Sequence, residues 1–313
     1  MACHNNRNNI HCPIWPRRGK ISYSIYAFYH HLYSIQYQSL FKQTKKMKII
    51  CLKGGLGNQM FEYCRYKILK DKGEKVFLYY DNRRLKQHKS ILISDVFNID
   101  IPKDYLWVNM VVWCIKLLRM FHIAPSLYDD EKYENRVILI DDYCQDEKYI
   151  QEAQKFFSFK NFHLNEESKY MKEKIESEVS SISIHIRRGD YLLSENIHNF
   201  GICSLKYYQN AIEHITQMIP KATYFIFSDD IKWCKENLSI ANAVYVDLPT
   251  DTPDYISLYL MTKCKGHIIA NSTFSFWGAF LTREEGICIY PKKWFANKNW
   301  DIPKIFPKKW LSL

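Results

Sequence analysis

The chain has 313 residues, 47% hydrophobic and 25% charged, with a net charge of +11; this mixture excludes a disordered chain and is long enough for two domains with real cores. The charge is uneven: Arg7, Arg17, Arg18, Lys20, Lys42, Lys45 and Lys46 have no Asp or Glu among them, which leaves +4 for the remainder and weakens a nucleic-acid reading of the main body. No run reaches the roughly eighteen uncharged apolar residues of a membrane helix, and ten cysteines fall without a C-x-x-C pair, which reads as free thiols in a reducing compartment.

Residues 1–46 differ in texture from the rest, being rich in Asn, His, Tyr and Arg. They read as an N-terminal extension to a functional protein that begins at Met47, either a mis-assigned start or a dispensable segment; the alternative is a basic segment that meets a membrane surface or a partner. From Met47 the pattern predicts a strand at 48–52, a glycine loop Lys53-Gly-Gly-Leu-Gly57, a helix at 58–72 and a strand at 76–80. A helix near 104–120 follows, within the apolar stretch Trp107 to Ile123. Lys116, Arg119 and the short length favour a buried or surface-docked helix there. A strand at 136–140 and helices at 147–157 and 166–178 complete the first half.

The second half alternates strictly. Strands are predicted at 182–187, 223–227, 243–247, 266–270 and 286–290, with helices at 204–219, 230–238, 254–264 and 274–283. Such alternation predicts parallel, doubly wound sheets. The expected organisation is an α/β domain over 47–165, a second over 166–313 and a cleft between them, with the last residues crossing back to the first domain.

Four motifs carry chemistry. The strand at 182–187 delivers Ser183-Ile-His-Ile-Arg-Arg-Gly-Asp190 to its C-terminal end, the edge at which open α/β sheets bind ligands. Two adjacent arginines suit a phosphate, because guanidinium binds such oxygens bidentately and keeps its charge; a structural ion-pair cluster is the competing reading. Side chains alternate along a strand, so His185 and Arg187 share a face, while Arg188 begins the turn or points the other way. Phe227-Ser-Asp-Asp230 offers carboxylates that either accept from a nucleoside or cap the next helix. Asn271-Ser-Thr-Phe-Ser-Phe-Trp-Gly278 opens a helix whose N–H groups suit a diphosphate. The glycine loop lets a ligand approach the backbone or makes a tight turn; it matches neither a Walker loop nor a dinucleotide fingerprint. The chain has no Asp-x-Asp pair and no clustered His or Cys, so a metal-bridged diphosphate is not expected.

In this order, Gly54-Gly-Leu-Gly-Asn-Gln-Met-Phe61, His185-Ile-Arg-Arg-Gly-Asp-Tyr191, Phe227-Ser-Asp-Asp230 and Asn271 to Gly278 closely resemble glycosyltransferase family 11, the α-1,2-fucosyltransferases, from about Met47 to the C-terminus. The α-1,6- and protein O-fucosyltransferases share the His-x-Arg-Arg element more loosely. The resemblance implies a GT-B-like fold of two Rossmann-like domains. It implies inverting, metal-independent transfer of fucose from GDP-fucose to the 2-hydroxyl of a galactose in a glycan acceptor. By the same resemblance Arg187, Asp190 and His185 are the catalytic group. Arg188, Ser228, Asp229, Asp230, Asn271, Ser272, Thr273 and Ser275 lie on the donor side. Gly55, Gly57, Asn58, Gln59 and Glu62 lie on the acceptor or sugar side. No cofactor, metal or nucleic-acid partner is implied, and the expected location is cytoplasmic, with contact at the inner face of the membrane left open. Another GDP-sugar-dependent transferase, or a GDP-sugar binder without turnover, is the alternative. Glu62 and Cys64 stand where the family commonly has Gln and Ala, and Phe276 where Trp is frequent; these departures bear on acceptor identity.

Overall fold

Two parallel sheets organise the chain. The first, in the order β2-β1-β3, contains β1 (Met47–Leu52), β2 (Lys75–Tyr80) and β3 (Leu139–Ile140). The second contains β4 (Ser181–Ile186), β5 (Thr223–Ser228), β6 (Ala243–Tyr245), β7 (Gly266–Ile268), β8 (Cys288–Tyr290) and β9 (Leu311–Ser312). A computed structural model describes residues 47–86, 92–129, 138–283 and 286–313, so the expected extension at 1–46 and the start of the strand foreseen at 136–140 lie outside the described residues. Met47–Leu313 forms one compact unit.

The longer helices are α1 (Leu56–Asp71), α2 (Leu106–Met120), α3 (Glu166–Ser177), α4 (Leu205–Met218), α5 (Ile231–Asn237), α6 (Asp254–Met261) and α7 (Thr273–Phe280). The helix expected over 147–157 is instead two single turns, Glu147–Ile150 and Ala153–Phe156. The Asp146 side chain caps the first by accepting from the Lys148 N–H.

Strand order fixes where a ligand belongs. The second sheet runs β6-β5-β4-β7-β8-β9, which is the doubly wound order in which the third, second and first strands are followed by the fourth, fifth and sixth. Its direction of winding reverses between β4 and β7, and the crevice beyond their C-terminal ends is where such sheets bind. Arg187 follows β4 and Asn271 follows β7 closely. The first sheet reverses between β1 and β3 in the same way.

Both sheets are covered on both faces, as the alternation of their side chains requires. In the second, Ile182, Ile184, Ile186, Tyr224 and Ile226 pack with Tyr208, Ala211 and Ile215 of α4. The opposite face carries Phe225 and Phe227 into a larger cluster with Phe276 and Trp277 of α7. In the first sheet Ile49 and Leu139 pack beneath Val108 and Val112 of α2, while Ile50, Leu52 and Leu78 join the larger cluster with Met60, Phe61 and Cys64 of α1. That cluster therefore runs through both halves. The GT-B-like expectation of two Rossmann-like halves is met, and a single core joins them.

The join rests on α1 against α7. The Phe61 ring lies 4.7 Å from the Trp277 ring, centroid to centroid, and the Trp277 indole N–H donates to the Gly57 carbonyl at 2.8 Å. A Cβ on Gly57 would stand 2.7 Å from the Thr273 hydroxyl oxygen and from the Phe274 nitrogen. Gly57 is thus required for the contact of two helices, which corrects its reading as a residue that admits a ligand. The C-terminal segment also differs from expectation. The Lys304 carbonyl accepts from the Glu147 N–H at 2.7 Å, but the chain then returns to pair β9 with β8, so it touches the first half without ending there.

Candidate active site

The site is built at the end of β4. Ile186 pairs in register with Ser228 of β5, so continuation of the two strands sets Arg187 beside Asp229 and Arg188 beside Asp230. The ion pairs follow that parity. Arg187 Nη1 lies 2.8 Å from Asp229 Oδ2, and its Nη2 donates to Asp190 Oδ1 at 2.6 Å. Arg188 turns to the other face, where its Nε donates to Asp230 at 3.1 Å and its guanidinium lies 3.7 Å from the centre of the Trp233 ring. The strand-face argument from sequence therefore separates the two arginines correctly. Arg188 is largely enclosed by α5, whereas Arg187 is part-exposed at the crevice.

Two aspartates thus fix Arg187 through its two terminal nitrogens. A guanidinium has five N–H donors, so Nε and the second hydrogens of both Nη groups remain for a phosphate. Asp229 has a further bond, accepting the Arg188 backbone N–H at 2.9 Å. A side chain at Gly189 would place its Cβ 2.6 Å from Asp229 Oδ2, so glycine is what lets this carboxylate reach both arginines. Tyr191 completes the surround: its ring lies 5.5 Å from the Arg187 guanidinium and its hydroxyl donates to the Asn271 carbonyl at 3.3 Å. The ends of β4 and β7 are linked through it.

His185 sits behind Arg187, buried, with its ring 5.8 Å from that of Phe274. Its Nδ1 has no partner among the described residues. Burial lowers its pKa to about 4, opposed by Asp229 and assisted by Arg187, so it is a neutral imidazole at physiological pH. A second histidine, His267, is held between the Ser183 hydroxyl at 2.7 Å and the Thr282 hydroxyl at 2.9 Å, and burial lowers it to about 3. His267 is a satisfied core group and has no place in the site.

The helix end after β7 is divided between site and scaffold. Ser272 makes no side-chain cap to α7, and Thr273 lies against Gly57 in the first turn of α1. The N-termini of α1 and α7 are therefore neighbours, and their positive dipole ends reinforce one another. Ser275, expected on the donor side, is fully buried and accepts the Ala270 N–H at 2.9 Å. Asn271 spends its amide on the carbonyls of Phe200, Gly201 and Trp294. Ser228 accepts the Asp230 N–H, and Asp230 caps α5 by accepting from Trp233. The side chains of Asn271 and Ser275 are buried in the walls, whereas Ser228 and Asp230, bonded to the same wall, stay part-exposed.

The glycine loop divides in the same way. Gly55 precedes α1 and its carbonyl accepts from Asn58 and Gln59; Asn58 is part-exposed and accepts from Gln145 at 3.3 Å. Gln59 is enclosed, bonding the Gly54 carbonyl with its amide nitrogen and the Ile93 N–H with its oxygen. Glu62 is fully buried; one oxygen accepts the Lys53 N–H at 2.9 Å and the other has no partner among the described residues. Gln59 and Glu62 therefore brace the loop from inside, contrary to the expectation that they face a sugar. Burial pushes the Glu62 carboxyl well up, against a smaller lowering by the Lys53 N–H.

A raised carboxyl pKa stabilises the fold most below the unfolded value near 4.5 and progressively less as pH rises through the folded value. Glutamine keeps the acceptor for the Lys53 N–H and never ionises. Glu62→Gln should thus gain stability over the parent as pH rises, by about 1.4 kcal/mol for each unit by which burial raises the group. Urea midpoints at pH 5 and pH 8 check this; a gain no larger at pH 8 would show that Glu62 is ionised in the folded chain.

Sequence reasoning missed a charged cluster at the C-terminal edge of the first sheet. Asp141, after β3, accepts from Lys53, after β1, at 2.6 Å and from Arg84 at 3.0 Å, and Arg119 of α2 lies 3.3 Å away. Asp81, after β2, is met by Arg84 at 3.7 Å and Lys116 at 3.3 Å. The signal was present, since Lys53, Asp81 and Asp141 each follow a strand directly. Among the described residues no three His, Cys, Asp or Glu side chains gather as a metal site.

Comparison with known proteins identifies the family. The sequence profile of glycosyl transferase family 11 matches residues 14–313, beginning upstream of Met47, where the resemblance was expected to start. An Escherichia coli alpha-1,2-colitosyltransferase is 29% identical over 285 residues, covering 84% of this chain and 97% of the relative. The Escherichia coli O-antigen biosynthesis glycosyltransferase WbnK is 31% identical, over 84% of this chain and 99% of the relative. The Bos taurus galactoside alpha-(1,2)-fucosyltransferase 2 is 23% identical, over 78% and 72%.

Proposed function

The chain belongs to glycosyl transferase family 11, and from that premise we propose that it transfers L-fucose from GDP-fucose to the 2-hydroxyl of a terminal galactose, with inversion and without a metal ion. The observation that carries the reading is Arg187, fixed by Asp190 and Asp229 at the reversal point of the second sheet with three N–H donors to spare. A glycosyl transition state has oxocarbenium character, and negative charge grows on the departing diphosphate. Arg187 and the paired helix ends stand where that charge develops and need no reorganisation to meet it. Arg188, behind Arg187, holds Asp230 and the wall. Neutral His185 adds no second cation, so the phosphate charge is directed to the guanidinium.

The acceptor hydroxyl must lose a proton. Glu62 is fully buried, and burial raises its pKa. Asp190 is the more exposed of the two carboxylates beside Arg187 and takes this role in the proposed reaction; early departure of the leaving group keeps the demand on a base small. Action in the cytoplasm at the inner face of a membrane belongs to the same reading; among the described residues no helix is long and apolar enough to cross one.

Colitose differs from fucose by one hydroxyl. Transfer of colitose from its GDP ester is the second reading, favoured by the name of the relative that is 29% identical. The experiment offers GDP-fucose and GDP-colitose separately, with lactose or N-acetyllactosamine, in excess EDTA. The expected result is acceptor-dependent GDP release from GDP-fucose, unchanged by EDTA, with the new bond at the galactose 2-hydroxyl. Release from GDP-colitose alone would favour the second reading; GDP-fucose binding with no turnover on any galactoside would point to a binding protein; loss of activity in EDTA with recovery on Mg2+ would refute the metal-free step.

A further inference from the structure

Helix α2 is apolar on both sides. Val108, Val112 and Ile115 are buried against the first sheet. On the opposite side Leu106, Met110, Trp113, Leu117 and Met120 recur at intervals of four and three residues, which places them in one stripe. All five are exposed, Leu106 by 77% and Trp113 by 65%, and Phe121 continues the stripe beyond the helix at 63%. A helix that is hydrophobic all round is normally enclosed, and a contiguous exposed apolar patch marks a place of contact. Lys116 and Arg119, the charged residues of α2, turn from the stripe to Asp81 and Asp141, so no charge interrupts it.

We propose that this stripe docks α2 on a membrane surface that carries anionic lipid. Trp107 and Tyr105 flank it, and both are exposed; such side chains suit the level of lipid headgroups, while Leu, Met and Phe enter the acyl boundary. The border is basic. Exposed Arg83 lines a recess with Met110 and Trp113, exposed Lys103 and Asp104 before the helix offset one another, and the edge cluster of Lys53, Arg84, Lys116 and Arg119 outnumbers the two aspartates it encloses. Cations beside an apolar face complement acidic headgroups. A second copy fits poorly, because a two-fold interface opposes like patches and would set this basic border against itself.

The test uses the full chain and reads binding alone, so its outcome is independent of the transfer chemistry. Cosedimentation is measured with vesicles of phosphatidylcholine and with vesicles of equal parts phosphatidylcholine and phosphatidylglycerol. Tryptophan quenching by brominated lipid reports insertion. The variants are Trp113→Glu and Leu106→Glu, both at exposed positions, with circular dichroism to confirm the fold. The expected result is salt-sensitive binding to the anionic vesicles, tryptophan quenching, and affinity at least about tenfold lower for each variant. Wild-type protein that ignores both vesicles, or variants that bind as it does, would overturn the proposal. A wild-type dimer in solution that Trp113→Glu converts to monomer would also overturn it, by giving the stripe to a second copy.

Discussion

Arg187→Ala should lower kcat by about a hundred- to thousand-fold, equivalent to roughly 3–4 kcal/mol of transition-state stabilisation, while the protein stays folded. Arg187 is part-exposed and its ion pairs are with carboxylates that also face the crevice, so its removal leaves Asp190 and Asp229 able to reach water. Arg188→Ala should behave differently. That side chain is stacked on Trp233 and bonded to Asp230, the cap of α5, and its loss leaves the cap without its cation. The expected effect is a drop in stability of about 1–3 kcal/mol with a smaller fall in kcat. Steady-state transfer rates and urea unfolding on both variants separate the two roles. Equal losses of kcat at unchanged stability would contradict the division made by strand parity.

Trp277→Ala should be the most destabilising single truncation tested, costing about 3–5 kcal/mol. Its ring is fully buried against Phe61, Phe157 and Phe276, and its N–H holds the Gly57 carbonyl. Removal opens a cavity between α1 and α7, the place where the core crosses from one half to the other. Trp277→Phe retains much of the packing and loses the hydrogen bond, for which about 1 kcal/mol is expected beyond the change in volume. Urea unfolding measures both. A cost below about 1 kcal/mol for Trp277→Ala, or a first half that unfolds separately in the parent, would contradict a shared core.

Much of this architecture was legible because it follows local rules. Apolar runs ending in Lys53, Arg187 and Ser228 gave the strands, and strict alternation of strands with helices gave parallel sheets. Parity along β4 distinguished Arg187 from Arg188. What sequence could not show was which polar groups are spent internally. Ser275, Asn271 and Gln59 carry the same hydrogen-bonding atoms whether they face a ligand or a neighbouring backbone, and only tertiary contacts reveal that the Ala270 N–H, the Phe200 carbonyl and the Ile93 N–H claim them. Gly57 misled for a related reason: a glycine that admits a ligand and one that admits a helix are identical in sequence. Strand β9, two residues long, has too few side chains to show a period.

The most direct test of the account is a crystal structure of the chain with GDP. The account predicts the diphosphate beyond the ends of β4 and β7, with phosphate oxygens within hydrogen-bonding distance of Arg187 and the first turn of α7, and with Arg188 still stacked on Trp233. GDP bound instead among Lys53, Arg84 and Arg119 at the edge of the first sheet, or bound with Arg187 untouched, would contradict it.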